Sequence, residues 1–171
     1  MMKPEVQHIL VRRPDGFVSV AQFVTKGAGG TQEAPVIVEL EATDEAIEAF
    51  LVKSGVSWTA WRRIDPTDLP SDDAFRNAWR DSGNVVDVDM TIARDIARDH
   101  LRKVRAPVFL DLDVQAARAL ERADAGRLAE VAADKQRLRD LTGRTEIAGA
   151  ETAEDLKAAV EQIAAEILNP R

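Results

Sequence analysis

The sequence predicts an α+β fold: a small N-terminal antiparallel β-sheet carrying one helix, in the order β-β-β-α-β, then an α-helical hairpin and a C-terminal helix. Three observations carry this reading. Residues 1–64 alternate short β-branched runs with turn chemistry. Residues 89–141 repeat apolar side chains at steps of three and four. Residues 151–168 repeat them again over a shorter span. The expected divisions are a β-rich part over 1–64, a hinge with a short helix over 65–88, a helical hairpin over 89–143 kinked near Pro107, and an amphipathic helix over 151–168.

Composition bounds the possibilities. With 45% hydrophobic and 31% charged residues in 171, the chain has the make-up of a folded protein. A net charge of −7 opposes a nucleic-acid surface, which needs clustered positive charge. The absence of cysteine excludes disulfides, thiolate catalysis and cysteine-based zinc sites. No run approaches the ~18 apolar residues of a membrane span. The first residues, MMKPEVQHILVRRPDG, lack an apolar signal core, so synthesis and folding in a cytoplasm are expected.

Taken in order, residues 6–11 form an apolar run that ends at Pro14-Asp15-Gly16, where proline pre-sets one turn dihedral and glycine takes the positive one. Residues 17–24 (FVSVAQFV) return as the second strand of a hairpin. Residues 26–31 (KGAGGT) read as a flexible loop, and 35–40 (PVIVEL) as a third strand. Thr43 caps a helix with Asp44 and Glu45 in its first turn, where carboxylates favour the positive dipole end. Ala46, Ile47, Phe50 and Leu51 are its buried side, and Gly55 stops it. Residues 56–64 (VSWTAWRRI) close the sheet. A sheet this small is marginal alone and is expected to lean on something else.

Residues 65–70 (DPTDLP) read as the hinge. Ser71 or Asp72 caps an expected short helix that buries Phe75, Ala78 and Trp79 and ends at Gly83. Asp89 or Thr91 caps the long helix, whose stripe includes Ile92, Ala93, Ile96, Ala97, Leu101, Val104 and Val108. Arg94, Arg98, Arg102 and Arg105 form a second stripe, interleaved with Asp95 and Asp99 and read as a solvated face. Pro107 is expected to kink or break the helix, since proline removes a ladder bond and clashes one turn back. Asp124-Ala125-Gly126 reads as the hairpin turn, with Gly126 in the left-handed conformation. Leu128, Val131, Ala132, Leu138 and Leu141 line the return helix. Leu156, Val160, Ile163 and Ile167 form a seam too short for a coiled coil, expected to dock on the hairpin or on a second subunit.

The chemistry-bearing candidates are weak. The lysine of KGAGGT precedes its glycines, unlike a phosphate loop. Asp87 and Asp89, and Asp111 and Asp113, are D-x-D pairs. On a helix the second pair diverges by about 200°, so metal binding is not expected. His8 and His100 have no partner constellation; His100 is expected to be half-buried. No catalytic, cofactor or metal residue is assigned. Trp58, Trp61, Phe75 and Trp79 are expected to cluster at the hinge and, with the four arginines and the C-terminal seam, make up the candidate interface.

One set of residues carries a resemblance: Phe75-Arg76, Ala78-Trp79, Asp89-Met90, Ala93-Arg94-Asp95-Ile96, Arg98-Asp99, Arg102, Arg105, Pro107, Leu112-Asp113, Lys135-Gln136 and Leu138-Arg139-Asp140. Over residues 64–143 the chain resembles small proteins encoded beside tail and tail-fibre genes of tailed bacteriophages and prophages. The resemblance implies a non-enzymatic role as a minor connector in the virion tail, or as a tail-fibre assembly chaperone. It implies other tail proteins or further copies of this chain as partners, no nucleic acid and no membrane, and a location in the virion tail or the host cytoplasm during assembly. Rival readings are a phage-encoded inhibitor or regulator of a host protein and a metal-dependent enzyme built on the D-x-D pairs.

Overall fold

A computed structural model describes residues 5–30, 35–39 and 41–169. The fold is α+β, as the sequence predicts, and the chain divides into two compact units, Met1–Val88 and Asp89–Arg171.

The front unit holds β1 (Glu5–Arg12), β2 (Val18–Gly30), β3 (Pro35–Glu39), α1 (Asp44–Lys53) and β4 (Ala60–Arg63). The four strands form one antiparallel sheet in the order β3-β2-β1-β4. The β1–β2 turn is set by Pro14-Asp15-Gly16: Gly16 has φ +79°, and the Asp15 carboxylate accepts the Phe17 N–H at 3.0 Å. Residues 26–30, expected as a loop, instead continue β2 and pair with β3 from Lys26↔Glu39 to Gly30↔Pro35. Thr31 and Leu40, expected in that loop and strand, lie outside the described residues. The last strand is shorter than expected, beginning at Ala60.

β1 explains the layering. Ile9, Leu10 and Val11 are all buried, because alternate residues of a strand point to opposite faces and both faces are covered. Ile9 and Val11 pack with Phe23 and with Ile47 and Leu51 of α1. Leu10 packs with Val18, Ile64, Trp79 and Val86. The second cover comes from β5 (Trp79–Asp81) and β6 (Val86–Val88), a small hairpin whose first strand falls in the segment expected to be helical. The short helix expected between Ser71 and Gly83 is reduced to one 3₁₀ turn at Arg76–Ala78, after which the chain extends. Trp79 is a sheet-facing strand residue, and Gly83 at φ +94° serves the hairpin turn. Residues 65–88 fall within the front unit, and its β5–β6 hairpin forms the second layer. This layer is the support that the marginal sheet was expected to need.

Asp81 of β5 pins that layer. Its side chain, 9% exposed, accepts from Arg12 at 2.8 Å and from Arg62 at 3.1 Å, and its Oδ1 also takes the Gly83 N–H at 3.1 Å. Burial raises the Asp81 pKa, but these donors outweigh it and hold the carboxyl below its ordinary value of 3.8.

The helical unit holds α2 (Met90–Glu121), α3 (Ala125–Leu141), α4 (Thr145–Gly149) and α5 (Ala153–Leu168). Asp89 caps α2, accepting from the N–H groups of Thr91 and Ile92 at 3.0 and 3.3 Å. α2 runs its 32 residues without the break and restart expected at Pro107. The turn into α3 falls earlier than expected. Ala123, at φ +52°, is the left-handed residue, Asp124 caps α3 through the Arg127 N–H at 2.9 Å, and Gly126 lies inside α3. α3 and α5 both pack along α2. Leu156, Val160, Ile163 and Ile167 of α5 are all buried, so the seam docks on this chain's own hairpin. The short α4, not anticipated, buries Ile147 completely.

Among the described residues the buried set contains no polar or charged side chain, so both cores are apolar throughout. Asp81→Ala is expected to destabilise the front unit by about 1–3 kcal/mol at neutral pH, since it strips two guanidinium groups of their acceptor. Because the folded pKa is depressed, this contribution is fully present above about pH 4 and lost as pH falls through the folded value. Denaturant titrations between neutral pH and pH 3 should show wild type losing more stability than the variant; parallel losses contradict the assignment.

Candidate interaction surface

The structure separates the residues expected to act together. Trp58 and Trp61 pack against the α1 side of the sheet, and the Trp61 indole N–H reaches Glu48 at 3.4 Å. Trp79 lies on the opposite side, 6% exposed, and Phe75 is 7% exposed. The expected cluster of exposed aromatics does not form: two of the four are core residues and the other two are half-buried. Leu156, Val160, Ile163 and Ile167 leave no free face either, since their burial is already satisfied within the helical unit.

The arginine stripe divides by role. Arg98 pairs with Asp95 at 2.9 Å, and Arg102 pairs with Asp99. Both are surface pairs of adjacent turns, worth little to stability. Arg94 and Arg105 are not part of a solvated face. Arg94 donates at 2.8 Å to the Ala150 carbonyl, tying the chain just before α5 to the first turns of α2. Arg105 donates from Nη1 to the Leu138 carbonyl at 3.0 Å and to the Thr142 hydroxyl at 3.3 Å. It thereby satisfies the unpaired carbonyls at the end of α3, where a cation also complements the helix dipole.

Around Arg105 the hairpin builds a feature that sequence reading missed. Phe109 lies one turn on, its ring centroid 5.4 Å from the Arg105 guanidinium carbon and 5.5 Å from that of Arg139 on α3. These distances are those of cation–π contacts. Burial lowers the Arg105 pKa, and the neighbouring charges of Arg102 and Arg139 lower it further. The Arg105–Phe109 half was legible as an i,i+4 pair; Arg139, thirty-four positions away, was not.

Beyond Phe109 the outer side of α2 carries exposed large apolar side chains among charged ones. Leu110 is 67% exposed, Leu120 65% and Val114 47%. At 100° per residue they share an arc of about 120° with exposed Ala106 and Ala117, and exposed Asp113 and Glu121 fall in the same arc.

The acidic pairs are spoken for. Asp87 lies exposed on β6, paired in register with Arg80, and Asp89 is the α2 cap. Asp111 accepts from Gln115 at 2.6 Å, while Asp113 accepts from Lys135 of α3 at 2.5 Å. Asp111 and Asp113 thus serve different neighbours. Among the described residues no group of three or more His, Asp or Glu side chains is placed to hold a metal ion. The His8 ring nitrogen lies 3.2 Å from the Gln22 amide nitrogen, and His100 is exposed, not half-buried. No described helix is long and apolar enough to cross a membrane.

No family model, curated protein or solved structure matches this chain.

Arg105→Ala is expected to lower helical-unit stability by about 1–3 kcal/mol, because it leaves the α3 carbonyls without their charged donor. Arg98→Ala should stay within about 0.5 kcal/mol. Thermal denaturation followed by circular dichroism compares the two; equal effects would contradict the division of roles.

Proposed function

We propose that this protein performs no bond-making of its own and works by contact with other polypeptides, as a minor connector component of a bacteriophage tail or tail fibre. The tail setting rests on the resemblance over residues 64–143. Contact as the mode of action is supported by one observation above the others, the exposed row Leu110, Val114 and Leu120 on one side of α2. Single surface leucines are ordinary, but large apolar side chains gathered on one helix face favour a partner surface. The other exposed large apolar residues include four valines scattered through the front unit, which make no comparable row.

The same row favours a second reading, an assembly chaperone for tail or fibre proteins. Such a protein shields an apolar surface of its client and departs before the particle is complete. The two differ in one measurable respect. Quantitative mass spectrometry of purified virions is expected to find the chain at a fixed copy number per particle. Its presence in infected-cell lysate but absence from virions would remove the connector role and leave the chaperone. Its absence from any complex with tail proteins in the lysate would remove both.

A further inference from the structure

The concavity where α2 meets the end of α3 is lined by Arg102, Arg105, Ala106, Phe109, Leu110 and Arg139. Three of these six residues are arginines and none is a carboxylate, in a chain whose net charge is −7. The positive charge is concentrated there against the overall balance. Its donors are also largely uncommitted. Arg105 spends Nη1 on the end of α3. Among the described residues Arg102 pairs with the exposed Asp99, its own side chain being 55% exposed. Arg139 donates to Gln136 at a long 3.5 Å. A guanidinium carries five N–H donors, so Arg102 and Arg139 keep most of theirs for solvent or a ligand.

Two of the three arginines are also held in place. Phe109 carries Arg105 and Arg139 against its ring, and the end of α3 fixes Arg105 from a second direction. Groups immobilised in advance lose less conformational entropy when a partner arrives. Leu110, 67% exposed, borders the charged centre with Ala106. The arrangement is a polar, positive centre with an aliphatic margin.

We propose that this concavity docks an acidic segment of a partner polypeptide that also carries aliphatic side chains. Its carboxylates would take up donors of Arg102 and Arg139, a pairing that guanidinium geometry favours. An aliphatic side chain would cover Leu110 and Ala106. A polyphosphate backbone is the poorer occupant, since it offers nothing apolar to Leu110 and Ala106. The inference deepens the contact function proposed above and rests on that reading, but it names a different surface property and is tested separately.

The experiment is a fluorescence-anisotropy titration of the full chain against a short labelled amphipathic peptide of glutamates and leucines at helical spacing. Saturable binding that weakens with added salt is expected, with no binding of the same peptide carrying lysine for glutamate. Arg139→Glu and, separately, Arg102→Glu should each weaken binding by about tenfold or more, and Leu110→Ser should weaken it measurably. Both arginines are surface residues, and circular dichroism of each variant confirms its fold; Arg139→Gln and Arg102→Gln serve if a charge reversal unfolds the hairpin. Equal binding of the lysine peptide, unchanged affinity in the arginine variants, or preference for single-stranded DNA would overturn the proposal. So would a concentration-dependent dimer dissociated by Leu110→Ser, because a second copy would then own the site. A failed titration leaves the virion measurement untouched, and absence from virions leaves the titration untouched, so the two readings fail independently.

Discussion

The helical unit depends on α2 remaining one helix through Pro107. Proline offers no N–H, so the Lys103 carbonyl loses its ladder partner, and the ring crowds the preceding turn at a cost of about 3 kcal/mol. The packing on either side offsets this. Ala93, Ala97 and Leu101 are buried before the proline, and Leu112 and Ala119 after it. Burying a leucine contributes about 1.5–3 kcal/mol, so Leu101 and Leu112 together cover the proline penalty. Arg105 adds a cross-link beside the weak point, from α2 to the carbonyls at the end of α3. The helix survives because its neighbours are arranged along both halves, not because its own sequence favours continuity.

The front unit obeys a related constraint. A four-stranded sheet with a central strand as apolar as Ile9-Leu10-Val11 must be covered on both sides. α1 supplies one cover, and the β5–β6 hairpin supplies the other. The hairpin is only three residues per strand, and its apolar area alone is small. Asp81, gripped by Arg12 and Arg62 from two sheet strands, adds the polar clamp. The Phe17 ring beneath Arg80, 3.8 Å from its guanidinium carbon, adds a cation–π contact.

Much of this was legible in the residues. Thr43, Asp89 and Gly16 announced a cap, a cap and a turn, because each satisfies backbone groups within three positions of itself. The α5 seam was legible as a buried face through its spacing. What failed was non-local. The segment 72–83 has a helix-like mixture of Asp, Ala, Phe and Trp, yet the empty face of a distant sheet draws Trp79 into a strand. Pro107 argued for a kink or a short break, and packing keeps the helix unbroken through it. Ala123, not Gly126, takes the left-handed turn, because the α2 ladder ends at Glu121 and the reversal falls before Asp124. The Arg105–Phe109–Arg139 stack needed two helices to meet before it existed.

The proposed contact surface inherits its shape from α2. With α3 and α5 packed along it, the remaining side of its second half presents Leu110, Val114 and Leu120 in one arc, beside the arginine-lined concavity. Two independent helices joined at Pro107 would not hold that arrangement. Residue-resolved amide hydrogen exchange along residues 95–119 tests this most directly. A single spine requires the amides of Leu110 to Leu112 to exchange as slowly as those of Ala97 to Leu101, with any weakness confined to the turn at the proline. Fast exchange throughout 103–111 between two protected flanks would contradict it.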